Sequence, residues 1–256
     1  MSKQNQKKSG MPVVIIGIVL LLAVGGGYYL FTSGKPGTPP KTNTNAAANA
    51  TKTPGIPVNA PLGAQPPNQA GSPTASVTVE EFADFQCGSC AAANPVMSEI
   101  KSSYGSRIRF IFRNYPLSIP AHDKSYDAAV TVEAAGMQGK FWEMQNQLFS
   151  NQQTWTSNPN YKQLWNEYAQ KLGLDLVKLQ ADVAGIAAKG RVDADLQRGR
   201  GLNVNSTPTV YVNGISIPFN EMKVESLKRI IDAELEKAAS TPPAAKPAAE
   251  NTNSNK

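Results

Sequence analysis

The sequence is poor in the side chains that bind transition metals. Its 256 residues include two cysteines, Cys87 and Cys90, and one histidine, His122. A structural zinc ion takes four ligands, and the chain has neither a second C-x-x-C nor an H-x-x-x-H motif. Carboxylates would have to complete any metal site, so we expect no metal. The two cysteines therefore either staple one loop or exchange disulfides with other molecules.

Charge is absent over a long stretch near the N-terminus, between Lys8 and Lys35. Residues 12–31 read PVVIIGIVLLLAVGGGYYLF, and about 20 apolar residues in a helix cover the roughly 30 Å of a bilayer's hydrocarbon. Three lysines precede this run, so residues 1–11 are expected in the cytoplasm and the rest outside, in a periplasm or on the cell surface. A cleaved signal peptide is the alternative, but it has a shorter apolar region and an A-x-A-like site. We interpret residues 12–31 as a single-pass anchor in the cell membrane.

Large apolar residues are scarce in residues 32–75 and 240–256, which consist mainly of proline and of small or polar residues. Such segments cannot bury a hydrophobic core. We therefore predict a disordered linker over residues 32–75 and a disordered tail over residues 240–256. The intervening residues 76–239 have the length of one compact domain.

That domain lacks net positive charge, although the whole chain carries +6. Residues 76–239 contain 17 Lys and Arg against 18 Asp and Glu. The excess of basic residues lies in the flanking segments, so no basic face that binds phosphates is expected on the domain. We do not expect nucleic acid as a partner.

The start of the domain has the pattern of a βαβ unit. Apolar residues alternate in SVTVEEFADF and in RIRFIFRNYP, which predicts two strands. GSCAAANPVMSEIKSSYG lies between them and predicts a helix that ends at Gly105, with Pro95 as an interior kink. The strands of such a unit pair in parallel.

The rest of the domain is mostly helical before it returns to strands. Residues 121–201 have amphipathic spacing, and a hairpin is predicted to turn at Asn213-Gly214. A last helix is predicted over residues 224–237. The helices predicted within the block are 123–136, 140–149, 160–172 and 176–198, the last broken near Gly185 or Gly190.

Four segments carry a family resemblance: EFADFQCGSC, FRNYPLSIPAH, AAGMQGKFWEMQNQLF and NVNSTPTVYVNG. In this order the chain resembles the DsbA-like branch of the thiol:disulfide oxidoreductases, in the thioredoxin superfamily. The resemblance implies an α/β thioredoxin-like fold with an inserted helical domain at about residues 121–201, here preceded by a single transmembrane helix. It also implies a cis peptide at Thr207-Pro208, packed against the cysteines. Taken alone, Pro208 is an ordinary proline opening a strand.

The spacing of Cys87 and Cys90 favours redox exchange over a structural staple. A bridge between residues three apart removes little entropy from the unfolded chain, and export leads to a compartment where disulfides persist. Cys87 is expected at the start of a helix, where unpaired N–H groups and the helix dipole stabilise a thiolate. Cys90 would then be the covered, resolving thiol. The redox pair is itself the only cofactor expected.

Residues near the cysteines are candidates for supporting roles. The small Gly88 and Ser89, together with Thr207 and Pro208, are predicted to form the surface that binds a substrate chain. By its resemblance to the acidic residue of related DsbA-like proteins, Glu81 is a candidate for a buried carboxylate that relays protons to the resolving thiol. Glu80, Glu81 and Asp84 as solvated strand residues are the equal alternative.

These observations predict an extracytoplasmic thiol:disulfide oxidoreductase that forms disulfides in exported cysteine-containing proteins through a mixed disulfide. The resemblance implies a membrane quinone-linked protein that reoxidises the pair. Gly88-Ser89 lacks the histidine found in strongly oxidising members, so a reductase or isomerase of the same fold is the nearest alternative. A non-catalytic thioredoxin-like chaperone or binding module is the alternative from another class.

Overall fold

The computed structural model describes residue 57 and residues 59–240. The anchor predicted over residues 12–31, most of the predicted linker and the chain beyond residue 240 lie outside this part. Within the described part of the chain, no helix combines the length and the apolarity needed to cross a bilayer.

Five strands form one mixed sheet in the order β1-β3-β2-β4-β5. Strands β2 and β3 pair in parallel, as the βαβ pattern predicted, and the other neighbours pair antiparallel. The hairpin between β4 and β5 turns at Asn213-Gly214, which confirms that prediction. The strands are β1 (Asn68–Gly71), β2 (Val77–Ala83), β3 (Ile108–Asn114), β4 (Thr209–Val212) and β5 (Ile215–Ile217).

Helix α1 joins β2 to β3, α2 to α7 form the inserted block between β3 and β4, and α8 ends the domain. A 3-10 turn, Pro120–His122, leads into the block. The helices are α1 (Gly88–Tyr104), α2 (Ser125–Gly136), α3 (Phe141–Ser150), α4 (Gln152–Thr156), α5 (Tyr161–Lys171), α6 (Leu176–Ala184), α7 (Ile186–Gly201) and α8 (Val224–Ser240).

The central strand β2 is covered on both faces. One face packs into the main core, which α1 and α8 supply with Met97 and Ile231. The other face holds a smaller cluster made of Phe82, Tyr115 and Val204. A strand covered on both sides has no solvated face, and six of the seven residues of β2 are buried. Its charged residues are therefore inside the protein, where they need partners.

The predicted linker over residues 32–75 is wrong at its C-terminal end. Residues 68–71 form β1, which pairs with β3 at the edge of the sheet, and the side chain of Ala64 is buried. Polar contacts hold this segment: the Ala64 N–H donates to Asp195 Oδ1 at 2.9 Å, and its carbonyl accepts from Arg113 Nη1 at 3.0 Å. Asp195 lies 131 residues from Ala64 along the chain, and Arg113 lies 49 residues away. Local composition therefore does not reveal these contacts.

The inserted block contains the predicted helices with two changes. The long helix predicted over residues 176–198 is divided at Gly185 into α6 and α7, which selects the first of the two predicted breaks. Helix α4, only five residues long, was not predicted. It places Gln152 beside the cysteines.

Candidate active site

Cys87 and Cys90 lie at the N-terminal end of α1. Cys87 is the N-cap residue, and its carbonyl accepts from the N–H groups of Cys90 and Ala91 at 3.1 Å each. Its own N–H donates to the Asp84 carbonyl at 3.1 Å. Both cysteines are free thiols; Cys87 is half-buried, whereas Cys90 is 0% exposed. The position of Cys87 at the helix start agrees with the prediction.

The two sulfurs differ strongly in acidity. A hydrogen bond from the Cys90 side chain, helped by the N–H groups of Cys90 and Ser89, lowers the pKa of Cys87 to about 5. Burial is the main cause that raises the pKa of Cys90 well above its ordinary value, and the neighbouring Cys87 adds to it. At neutral pH the pair is therefore a thiolate at Cys87 and a thiol at Cys90. A thiolate is the nucleophile in disulfide exchange, so Cys87, the more accessible of the two cysteines, is also the reactive one.

The segment that contains Thr207 and Pro208 lies against Cys87, as the resemblance implied. The peptide between Thr207 and Pro208 is cis, which confirms the prediction drawn from the resemblance. The Cys87 sulfur lies 3.2 Å from the Thr207 carbonyl oxygen. Pro208 is buried, while Gly88 and Ser89, which follow Cys87 in the chain, are exposed. The structure thus brings the predicted substrate-binding residues together around Cys87.

Glu81 is buried on the face of β2 that belongs to the main core, with 2% of its surface exposed. Burial raises the pKa of Glu81 to about 7, and the positive charge of Lys101 opposes this rise. Lys101 extends over the ring of Trp142, with 3.8 Å from Nζ to the ring centroid. A carboxyl group with this pKa can be either protonated or ionised near neutral pH, which suits a group that exchanges protons.

Asp84, which the alternative interpretation placed in solvent, is 0% exposed. Its Oδ1 accepts from the Gln86 N–H at 2.7 Å and from the Ser125 hydroxyl. Its Oδ2 accepts from the Leu117 N–H at 2.8 Å and lies 2.6 Å from His122 Nδ1. Both carboxylate oxygens are therefore engaged at the turn that leads into α1, residues 84–87, which we call the cysteine loop. The alternative in which Glu80, Glu81 and Asp84 are solvated is wrong, since all three are buried.

Gln152 supports the same loop from the inserted block. Its Nε2 donates to the carbonyl of Phe85 at 2.8 Å and to that of Cys87 at 2.9 Å. The sequence does not reveal this residue, because α4 is too short for a periodic pattern and a single glutamine forms no motif. Only the folded arrangement brings it to Cys87, 65 residues away.

Open space borders the exposed side of the cysteines. A cavity of about 500 Å³ is lined by residues of α1 and of the α3–α4 junction, including Gly88, Ala91, Phe149 and Gln152. A Cβ atom built on Gly88 would meet nothing within 4 Å. The cavity therefore lies beside the first turn of α1, next to Gly88.

Among residue 57 and residues 59–240, no group of three or more His, Cys, Asp and Glu residues is arranged to hold a metal ion. His122 contacts the Asp84 carboxylate through Nδ1. Its role is therefore tied to the cysteine loop.

Comparison with known proteins agrees with this fold. A family model described as thioredoxin matches residues 64–233. The solved structure of alpha-DsbA1 from Wolbachia pipientis superposes with a TM-score of 0.58 at 18% identity, covering 68% of this chain and 94% of that one. BdbD from Bacillus subtilis gives a TM-score of 0.52 at 24% identity, covering 66% and 93%. The DsbA-like resemblance drawn from the sequence is confirmed at the level of the fold, and the family match is to thioredoxin.

The curated relatives that match this chain include Na(+)/H(+) antiporters. A Na(+)/H(+) antiporter NhaA 1 from Mycolicibacterium gilvum is 29% identical over 215 residues, which is 83% of this chain and 31% of the antiporter. The corresponding protein from Mycolicibacterium vanbaalenii is 34% identical over 143 residues, 55% of this chain and 22% of the antiporter. The chain thus spans less than a third of the length of either relative.

Proposed function

Since this chain belongs to the thioredoxin family, we propose that it is a thiol:disulfide oxidoreductase that forms disulfides in exported proteins. The observation that carries the proposal is the difference in accessibility and acidity between the sulfurs of Cys87 and Cys90. Cys87 is accessible and has a pKa lowered to about 5, while Cys90 is buried and has a raised pKa. This pair is the only redox cofactor that the reaction needs.

The proposed reaction starts from the oxidised enzyme. A substrate thiolate attacks Cys87, the Cys87–Cys90 bond breaks, and Cys90 leaves with the electron pair. Glu81 supplies a proton to Cys90, because the pKa of Glu81 near 7 makes it available as a buried acid. A second substrate thiolate then attacks the substrate sulfur of the mixed disulfide, and Cys87 leaves as a thiolate. Two electrons pass from the two substrate thiols to the enzyme.

The direction of electron flow follows from the stability of the reduced enzyme. A stabilised thiolate lowers the free energy of the reduced form, which makes the disulfide form the stronger oxidant. The low pKa of Cys87 therefore supports an oxidase over a reductase. Gly88-Ser89 is compatible with this, since the largest cause of the lowered pKa is the Cys90 hydrogen bond and does not come from the intervening side chains.

We further propose the cellular setting in which the reaction runs. The run of apolar residues at 12–31 anchors the chain in the cell membrane, and the domain lies outside the cytoplasm. Its partners are exported proteins with cysteines and a membrane quinone-linked protein that reoxidises the pair. Recovery of the protein in a soluble fraction, beginning near residue 32, would contradict the anchor.

A redox titration tests the catalytic proposal. The full-length chain, purified in detergent, is equilibrated with mixtures of reduced and oxidised glutathione, and the fraction of oxidised Cys87–Cys90 is measured. We expect a reduction potential more positive than that of the glutathione couple; a more negative value would make the protein a reductase. In cells, Cys87→Ser should abolish disulfide formation in exported substrates. Normal oxidation in that strain would favour a non-catalytic binding module.

A further inference from the structure

Asp84 is the residue whose backbone contacts both members of the cysteine pair. Its N–H donates to the Cys90 sulfur at 3.5 Å, and its carbonyl accepts from the Cys87 N–H at 3.1 Å. A shift of the backbone at this position would therefore move a donor away from one sulfur and release the residue that carries the other.

The side chain of Asp84 controls where that backbone lies. Its carboxylate connects three segments, since Gln86 belongs to the cysteine loop, Leu117 and His122 to the connection after β3, and Ser125 to the start of α2. Ser125 is 0% exposed, like Asp84 itself. Buried carboxylates that accept several hydrogen bonds hold their donors in place, because each donor would otherwise lose its partner.

We propose that Asp84 is a positioning residue for the redox pair: its carboxylate holds the cysteine loop against the inserted block and so sets the acidity of Cys87 and the redox equilibrium. The residue does not touch the substrate in this role. It acts through the loop, by holding in place the backbone N–H that donates to the Cys90 sulfur and the carbonyl that accepts from the Cys87 N–H. The inference rests on the proposed redox function and deepens it.

A positioning role and a purely electrostatic role of Asp84 predict opposite shifts in the pKa of Cys87, so one measurement distinguishes them. If Asp84 acted only as a nearby negative charge, its neutralisation would stabilise the Cys87 thiolate and lower the pKa of Cys87. If it positions the loop, its neutralisation removes hydrogen bonds from that thiolate and raises the pKa. In Asp84→Asn an amide NH₂ replaces one acceptor oxygen and faces two former donors, so the loop loses its anchor.

The experiment measures the pKa of Cys87 from the ultraviolet absorbance of its thiolate, and the glutathione equilibrium, in the full-length chain. For Asp84→Asn we expect the pKa of Cys87 to rise by about one unit and the equilibrium constant for reduction to fall about tenfold, about 30 mV. An unchanged or lowered pKa of Cys87 would overturn the proposal. A wild-type chain that is inactive in disulfide exchange would contradict the proposed redox function. The role of Asp84 is tested separately, by the pKa of Cys87.

The matched control is Asp195→Asn. Asp195 is also 0% exposed and accepts from the backbone N–H groups of Ala64 and Asn114, but it lies against Arg113 and not the cysteine loop. It should lower stability and leave the pKa of Cys87 and the redox equilibrium unchanged. A shift equal to that of Asp84→Asn would show a general response to a lost buried carboxylate, which contradicts a specific role.

A second series keeps the test sharp if Asp84→Asn does not fold. His122→Ala and Ser125→Ala each remove one partner of the carboxylate and should each raise the pKa of Cys87 in the same direction by a smaller amount. His122→Asn restores a donor close to the place of Nδ1 and should return the value to that of wild type. Wild-type values in both alanine variants would overturn the proposal.

Discussion

The sulfur of Cys87 lies 3.2 Å from the carbonyl oxygen of Thr207, which is 120 residues further along the chain. The contact joins the start of α1 to the loop before β4, so two segments that are distant in the chain meet at the reactive sulfur. Gly88 and Ser89, which follow Cys87 in the chain, are exposed, whereas Pro208 is buried. Changes at this junction should therefore affect the chemistry of Cys87 before they affect the fold.

Removal of the Cys90 thiol should make Cys87 less acidic. The Cys90 hydrogen bond is the largest cause of the lowered pKa of Cys87, and hydrogen bonds to charged groups contribute about 1.5–3 kcal/mol. Cys90→Ala should therefore raise the pKa of Cys87 by about 1–2 units, measured by the absorbance of the thiolate. Cys90→Ser keeps a donor and should raise it less. Equal values in wild type and Cys90→Ala would contradict this.

Glu81 should make stability depend on pH. Because burial raises its folded pKa to about 7, the folded state holds a proton that the unfolded state has released between about pH 4.5 and 7. Stability therefore falls as pH rises through this window, by up to about 3 kcal/mol, and the loss is complete above the folded pKa. Glu81→Gln removes the loss and should be more stable than wild type at pH 8 but similar near pH 4.

Denaturant unfolding at several pH values tests the Glu81 prediction. Glu99→Gln is the control, because its carboxylate is half exposed and pairs with Lys228 at the surface. That variant should follow the pH dependence of wild type. Parallel curves for Glu81→Gln and wild type would mean that Glu81 does not titrate in this window.

The features that follow a periodic pattern could be predicted from the sequence. Alternation in β2 and β3 and the turn at Asn213-Gly214 depend on neighbours in the chain, and the structure contains them. Cys87 at a helix start also follows from local signals. The cis peptide at Thr207-Pro208 came from the family resemblance, since a proline at a strand start has no such requirement.

The features that were missed depend on distant polar contacts. The sequence predicts a linker at strand β1, because the four residues NQAG show no alternation of apolar residues. The strand forms through pairing with β3, which is distant in the chain. A solvated Asp84 is one of two equal alternatives from the sequence, because partners such as His122 and Ser125 lie about 40 residues away. Hydrogen-bond partners are set by the fold, and a hydrophobic pattern carries no information about them.

Gln152 should stabilise the cysteine loop measurably. Gln152→Ala removes the side-chain donor from the carbonyls of Phe85 and Cys87. The Cys87 carbonyl keeps the N–H donors of Cys90 and Ala91, so the main cost arises at Phe85, since an unpaired buried acceptor costs about 1–3 kcal/mol. We expect a loss of about that size in the free energy of unfolding. The exposed neighbour Gln153 offers the control, since Gln153→Ala should change stability by less than about 0.5 kcal/mol. Equal effects of the two substitutions would show that the Gln152 contacts do not hold the loop.

Gly88 borders open space and Gly199 packs against aromatic rings, so substitution by alanine should affect stability differently at the two positions. A Cβ at Gly88 would meet nothing within 4 Å, whereas a Cβ at Gly199 would lie 2.3 Å from a ring carbon of Tyr115 and 3.2 Å from one of Phe82. Gly199→Ala should therefore force α7 away from the sheet and cost at least about 1–3 kcal/mol. Gly88→Ala should leave stability within about 0.5 kcal/mol of wild type, so any slowing of disulfide exchange would come from the crowded approach to Cys87. Thermal unfolding and exchange rates with a cysteine-containing peptide separate the two effects, and a strongly destabilised Gly88→Ala would show that the site is not open on this side.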